Sequence, residues 1–262
     1  MGPGVLTTWL ITWLITCLLA ARNVRANVQV VFAHFMVGNT ASYSVADWQD
    51  DISKAAAAHI DGFVLKMARG EATNGASLAN AFTAAKNLRS TFNLLFSFVY
   101  AGNGLWDKAD VIALINTYAP NAAYYRGGSQ PLVSTFEGPA ASVDWVDIKA
   151  ATPAASSCRA VPPSPEGPNS MSTFTDNSYR DALGGAPYMM PVAPWFYTNM
   201  PGFRKNWLWR GDDLWFDRCV HLMTLQPAYV QIISWNDYGC SGGANIGRSE
   251  VPKSHSKQWH RH

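Results

Sequence analysis

Strand-sized apolar runs alternate with helix-sized segments along this chain, and that alternation limits the possible folds more than any other feature. VQVVFAHF (Val28–Phe35), GFVLK (Gly62–Lys66), NLLFSFVY (Asn93–Tyr100) and PLVSTFEG (Pro131–Gly138) are near-continuous apolar runs. Strands covered on both faces have this character, whereas a half-exposed strand alternates. The segments between them read as helices from Val45 to about His59, from Ser77 to about Arg89, and near Lys108–Tyr118. Ser44 stands where it would cap the first of these. Parallel strands need crossovers of about this length, so the sheet is expected to be parallel. The pattern returns with a helix near Thr173–Leu183, the strand PYMMPVAPW (Pro187–Trp195) and the strand Tyr229–Trp235. At 262 residues, one domain of the barrel or large α/β type can bury a full core. No G-x-G-x-x-G follows the first strand, so a dinucleotide cofactor is not expected.

The residues that end the first four strands are His34, Lys66, Tyr100 and Glu137. A (β/α)8 barrel builds its site from polar groups at the C-terminal ends of successive strands, and four in a row point to such a site. The last strand delivers WNDYGCSGG (Trp235–Gly243), which carries Asn236 and Asp237 out of the sheet. There are 11 Trp, more than a core needs, and surplus aromatics line clefts that stack planar ligands or sugar faces. Trp195, Trp207, Trp209 and Trp235 are candidate platforms, with about half of them expected in the core instead, and Tyr197 is a further candidate substrate contact. Arg210, Asp212 and Asp213 stand among the aromatics before a further helix, one aspartate serving as its N-cap and the other free for substrate. Asp144 follows the fourth strand and could orient sugar hydroxyls or water. Glu137 admits two readings, a sugar contact or a buried carboxylate paired with Lys66 or Arg210. No set of His, Cys and acidic residues is spaced to hold a metal.

Residues 1–26 have an apolar stretch from Val5 to about Ala21, then Val24-Arg25-Ala26, small residues suited to signal-peptidase cleavage before Asn27. The stretch is short for a membrane span and a strand follows at once, so a cleaved secretory signal is favoured over an anchor. Arg22 and Arg25 lie there, and Arg248, Lys253, Lys257 and Arg261 lie in the last segment against Glu250. The net charge of +2 therefore conceals a mildly acidic body with no basic stripe for nucleic acid.

Seven blocks are specific enough to suggest a family: VVFAHFMVGNT, DWQDDI, DGFVLK, STFEGP, PYMMPVAPWFYTN, KNWLWRGDDLW and IISWNDYG. They resemble glycoside hydrolase family 71, the fungal α-1,3-glucanases also known as mutanases, over most of 27–152 and 165–239. The resemblance implies a (β/α)8 TIM-type barrel, usually followed by a β-rich accessory domain. It also implies a secreted, monomeric hydrolase of cell-wall α-1,3-glucan without a metal cofactor. In the family the last block reads W-N-D-Y-G-E, and its Asp and Glu are the catalytic pair. Asp237 matches the Asp, whereas the Glu position holds Cys240. A thiol, with its higher pKa, cannot stand in for a carboxylic acid in protonating a leaving oxygen.

Two stretches depart from the family. PAASSCRAVPPSP, at 153–165, replaces a longer segment that carries two strands, so the fifth and sixth strands are expected to be lacking and this junction to be irregular. From Cys240 to the end the chain is basic and His-rich without apolar period, which reads as a disordered tail in place of the accessory domain. A mis-spliced or frame-shifted product of an intact gene accounts for both abrupt breaks, and a degenerate relative is the rival account. The catalytic region is thus expected over 27–239.

Overall fold

A computed structural model describes residues 29–89, 91–100, 103–136, 141–152, 172–181, 183–194 and 213–237 in full, and the backbone alone of 156–159, 182, 196–200 and 205–209. The signal-like segment and the tail from 238 lie outside the described residues. In chain order the elements are β1 (Val30–Met36), α1 (Val45–Ala57), β2 (Gly62–Ala68), α2 (Asn74–Leu88), β3 (Asn93–Val99) and α3 (Lys108–Tyr118). Next come β4 (Arg126–Gly127), β5 (Gln130–Phe136), α4 (Asp144–Ala151), β6 (Ser156–Arg159), α5 (Phe174–Ala182) and β7 (Met189–Val192). The hairpin of β8 (Phe196–Met200) and β9 (Lys205–Trp209), then α6 (Leu214–Leu225) and β10 (Tyr229–Ile232), complete the path. Ser44 caps α1 as expected. Its hydroxyl accepts from the Asp47 amide, and the Asp47 carboxylate accepts from the Ser44 amide, a reciprocal capping box.

The main sheet runs β4-β5-β3-β2-β1-β10-β7, with β6 also paired to β5. Every pairing in it is parallel except β4 with β5. One expectation is corrected here. Residues 153–165 were read as lacking any strand, yet Ser156–Arg159 form β6 in register with Leu132–Thr135. SSCR has no apolar period to announce a strand. The unpaired edge of β5 recruits it through backbone hydrogen bonds, which are indifferent to side-chain pattern. Only the place between β6 and β7 stays without a strand among the described residues.

The sheet is curled. Strands spaced about 4.8 Å apart would put β1 and β5, three steps away, about 14 Å from each other if flat. The rings of His34 and Phe136 nevertheless lie 6.3 Å apart, and the Tyr229 hydroxyl of β10 comes within 3.1 Å of where a Cβ on Gly127 of β4 would stand. Parity follows from the curl. Phe32 and His34 face the concave side, while Phe35 faces out and stacks on Trp48 of α1 at 4.5 Å. Behind β3, Phe96 and Phe98 meet Phe82, Tyr118, Trp106 and Trp145 of the helix layer. Gly62 opens β2 against β3 so closely that a Cβ would clash with the Asn93 carbonyl oxygen.

The β7 side has a smaller core of Tyr188, Met190 and Leu225, with Tyr179, Leu183 and Leu222 packed on it. A buried ion pair joins its layers. Arg218 of α6 donates to both carboxylate oxygens of Asp176 on α5 at 2.8 and 2.9 Å, and to the Pro191 carbonyl of β7 at 2.8 Å. The Tyr188 hydroxyl donates to the same carboxylate at 2.7 Å. Burial raises the Asp176 carboxyl, but the Arg218 bonds and charge outweigh it and hold it below the usual range. Burial and the adjacent carboxylate push the Tyr188 phenol far up.

Candidate active site

Asp237 reaches the mouth of the sheet because its neighbour is tied down. β10 ends at Ile232, but the chain stays beside β1: the Trp235 amide donates to the His34 carbonyl at 2.8 Å. Asn236 then closes a ring with one residue. Its Oδ1 accepts from the Met36 amide at 2.7 Å and its Nδ2 donates to the Met36 carbonyl at 3.0 Å. Asn39 donates to the Asn236 carbonyl at 3.0 Å. Asn236, expected at the substrate, is 2% exposed and has both amide groups engaged by the backbone. It positions Asp237, which stands half-buried at the mouth. Trp235 is partly buried and packs against the core. Its ring lies 5.5 Å from Phe63, and its indole bonds Asp51 of α1, whose carboxyl burial nevertheless raises.

His34 and Lys66 do not end their strands. β1 runs on to Met36 and β2 to Ala68, so both side chains emerge two residues inside the sheet. His34 is 3% exposed and lies 2.7 Å from the amide nitrogen of Gln231 on β10. The Lys66 ammonium sits 4.0 Å over the Phe136 ring. Lys66, Ser97 and Ser134 stand in register across β2, β3 and β5, and both serines are buried. The concave floor is thus polar at this level.

Burial, and then the Lys66 charge, lower the His34 pKa from 6.5 to about 3. Between those values the unfolded chain binds a proton that the folded chain refuses. The His34 contribution is therefore complete above pH 6.5 and is lost as pH falls toward 3, by about 1.4 kcal/mol per unit. Urea unfolding at pH 7.5 and 5.0 should show this loss, and His34→Gln should flatten it. Equal slopes for the two proteins would show that the imidazole titrates normally.

Other residues occupy the surrounding loops. The Tyr100 amide donates to the Phe136 carbonyl at 3.0 Å, but its ring is 6% exposed and its hydroxyl is buried without a partner. Tyr100 is therefore a core residue, its phenol pushed up to about 12 by burial and by Asp144. Asp144 opens α4 and lies 3.7 Å from Lys108, which bonds Asp147 at 2.6 Å. Asp213 takes the N-cap position of α6 without a capping bond from its side chain. Arg69 pairs with Asp107 across neighbouring loops. One carboxylate escaped the sequence reading. Glu71 follows β2, and its oxygens would lie 3.0 and 3.1 Å from a Cβ on Gly38, one residue before the Asn39 that braces Asn236. It is the sole acidic residue of the connection MARGEATNG, which was the available signal.

Glu137, Trp195, Arg210, Asp212 and Cys240 lie outside the described residues. Tyr197 and Trp207 are placed by backbone only, in the antiparallel β8–β9 hairpin that follows β7. Among the described residues no group of three or more His, Cys, Asp or Glu is placed to hold a metal ion, and no helix is long and apolar enough to cross a membrane.

The described residues thus form a curled parallel sheet with an imidazole and an ammonium on its concave face and a carboxylate just beyond its last strand. The endo-α-mannosidase of family GH99 from Bacteroides thetaiotaomicron superposes with a TM-score of 0.58 at 9% identity, over 88% of this chain and 96% of that one. At such identity the likeness concerns the fold alone. The chain belongs to glycosyl hydrolase family 71, whose profile matches residues 27–164 and 163–259. The two matched pieces meet inside the 153–165 stretch, and the second continues to 259. Family sequence therefore extends past Gly239, where the resemblance was expected to stop. A mutanase of Penicillium rubens is 31% identical over 256 residues, covering 87% of this chain and 56% of that protein. A glucan endo-1,3-alpha-glucosidase of Schizosaccharomyces pombe is 31% identical over 247 residues, covering 80% and 57%. The ascus wall endo-1,3-alpha-glucanase of the same yeast is 27% identical, covering 88% and 62%. The chain thus spans little more than half the length of these relatives.

Proposed function

We propose that this chain derives from a secreted glycoside hydrolase acting on α-1,3-glucan, its described sheet being a (β/α)8 TIM-type barrel short of one strand. The observation that carries this reading is the Asn236–Met36 ring, which aims Asp237 at the mouth of a sheet belonging to family 71. Hydrolysis with inversion needs two carboxyl groups. One gives its proton to the glycosidic oxygen as the bond to the anomeric carbon breaks. The other takes a proton from the water that attacks that carbon from the opposite face. Asp237 is assigned as the base, and position 240, Cys240 in this chain, as the place of the acid. Glu71 is a described carboxylate on the same side, beside Gly38, which precedes the Asn39 that braces Asn236.

The loss of the acid leaves a second reading open, a non-catalytic glucan-binding remnant. Cosedimentation tests what both readings share. The chain should pellet with insoluble α-1,3-glucan and much less with cellulose or starch, and Asp237→Asn should leave that binding unchanged. Equal retention on all three polymers would remove α-1,3-glucan as the ligand.

A further inference from the structure

The buried pair of His34 and Gln231 has a directional consequence. A side-chain amide nitrogen donates and never accepts, and a neutral imidazole has one N–H and one bare nitrogen. The Gln231 Nε2 stands 2.7 Å from His34 Nδ1, so Nδ1 must be the bare one. Turning the amide over would set its oxygen against Nδ1. That orientation would require the other tautomer; in the one present, the Gln231 Nε2 gives one proton to Nδ1 and Oε1 is without a partner. We propose that Gln231 is a positioning residue, holding His34 as the tautomer protonated on Nε2 so that it offers the mouth a hydrogen-bond donor for a glucose hydroxyl.

Four observations support this. Among the described residues no acceptor takes the Nε2 proton. The two residues lie on adjacent strands and are 3% and 1% exposed, so their separation is fixed by the β1–β10 register rather than by flexible side chains. The ring borders Phe136, over which Lys66 sits, at the floor of the mouth. The groups facing the imidazole are Lys66 from β2, the uncharged Gln231 from β10 and the apolar Phe136 from β5, with Asp237 beyond the end of β10. Burial and Lys66 both oppose the imidazolium, so the donor persists through the physiological pH range. A donor that stays neutral adds no charge of its own and suits a hydroxyl.

The hydroxyl half of the proposal rests on the polysaccharide reading, whereas the tautomer half does not, and the test separates them. Nitrogen-15 correlation spectra of the histidine-labelled chain should give His34 a protonated Nε2 and an unprotonated Nδ1, unchanged from pH 8 to 5. In Gln231→Glu the carboxylate can only accept, so the proton should move to Nδ1 and the ring should begin to titrate in that range. Binding of a soluble α-1,3-linked gluco-oligosaccharide should weaken about 5–10-fold in Gln231→Glu, the loss of one neutral hydrogen bond, and by the same factor in His34→Phe. A proton on Nδ1 in the unmodified chain overturns the proposal, and that measurement needs no variant to fold. The expected tautomer with no oligosaccharide binding by the unmodified chain would instead overturn the polysaccharide reading.

Discussion

Reducing-sugar release from insoluble α-1,3-glucan by the chain as it stands is expected to run about 10²–10⁴-fold below that of a repaired enzyme. This is the range that one positioned general acid contributes, and Cys240 cannot supply it. Cys240→Glu alone should rescue little, because among the described residues the sheet has no strand between β6 and β7. Activity should return when Glu at 240 is combined with a family segment inserted between Arg159 and Phe174. Asp237→Asn in that repaired chain should abolish it again. Vigorous hydrolysis by the unmodified chain would rule out the paired Asp237 and Glu as its machinery. Glu71→Gln and Glu137→Gln would then locate the carboxyl group acting in place of the lost Glu.

Arg218→Ala is expected to lower stability by about 3–5 kcal/mol, the usual loss when one member of a buried pair is removed. The side chains of Arg218 and Asp176 are 3% and 6% exposed, so neither charge finds water when its partner goes. The truncation also frees the Pro191 carbonyl of β7, loosening the strand that neighbours β10. Replacing both charges at once, Asp176→Leu with Arg218→Met, should recover most of the loss, since no unpaired charge stays buried. Guanidinium unfolding of the single and double variants measures this. Equal losses in the two would mean that packing, and not the stranded charge, sets the penalty.

Helices and parallel strands were legible because their signals are local. α3 spans Lys108–Tyr118 as the sequence suggests, and β3 ends within one residue of the predicted limit. β6 was not legible, because its pairing depends on an edge that β5 offers only once folded. His34 and Lys66 were taken as strand ends, whereas β1 and β2 each run two residues further. Parity was the better guide. His34 shares its face with Phe32, and Gln231 pairs in register with Phe32, so the polar residue of YVQI points to the same concave side. Asn236 misled for another reason: an amide beside a candidate carboxylate suggests a sugar contact, yet this one completes the backbone pairing of β1.

A closed barrel is a hoop, and its girth is set by the number of strands and their stagger. The sheet described here is a cut hoop, with β6 and β7 at its two ends among the described residues. A cut hoop flexes as a leaf spring does. Small changes of twist at every strand add up, and the ends part or approach without any single hinge. In such a hoop the width of the mouth is a soft coordinate, and the grip on anything lying in it is limited by the stiffness of the spring, however good the individual contacts along its walls.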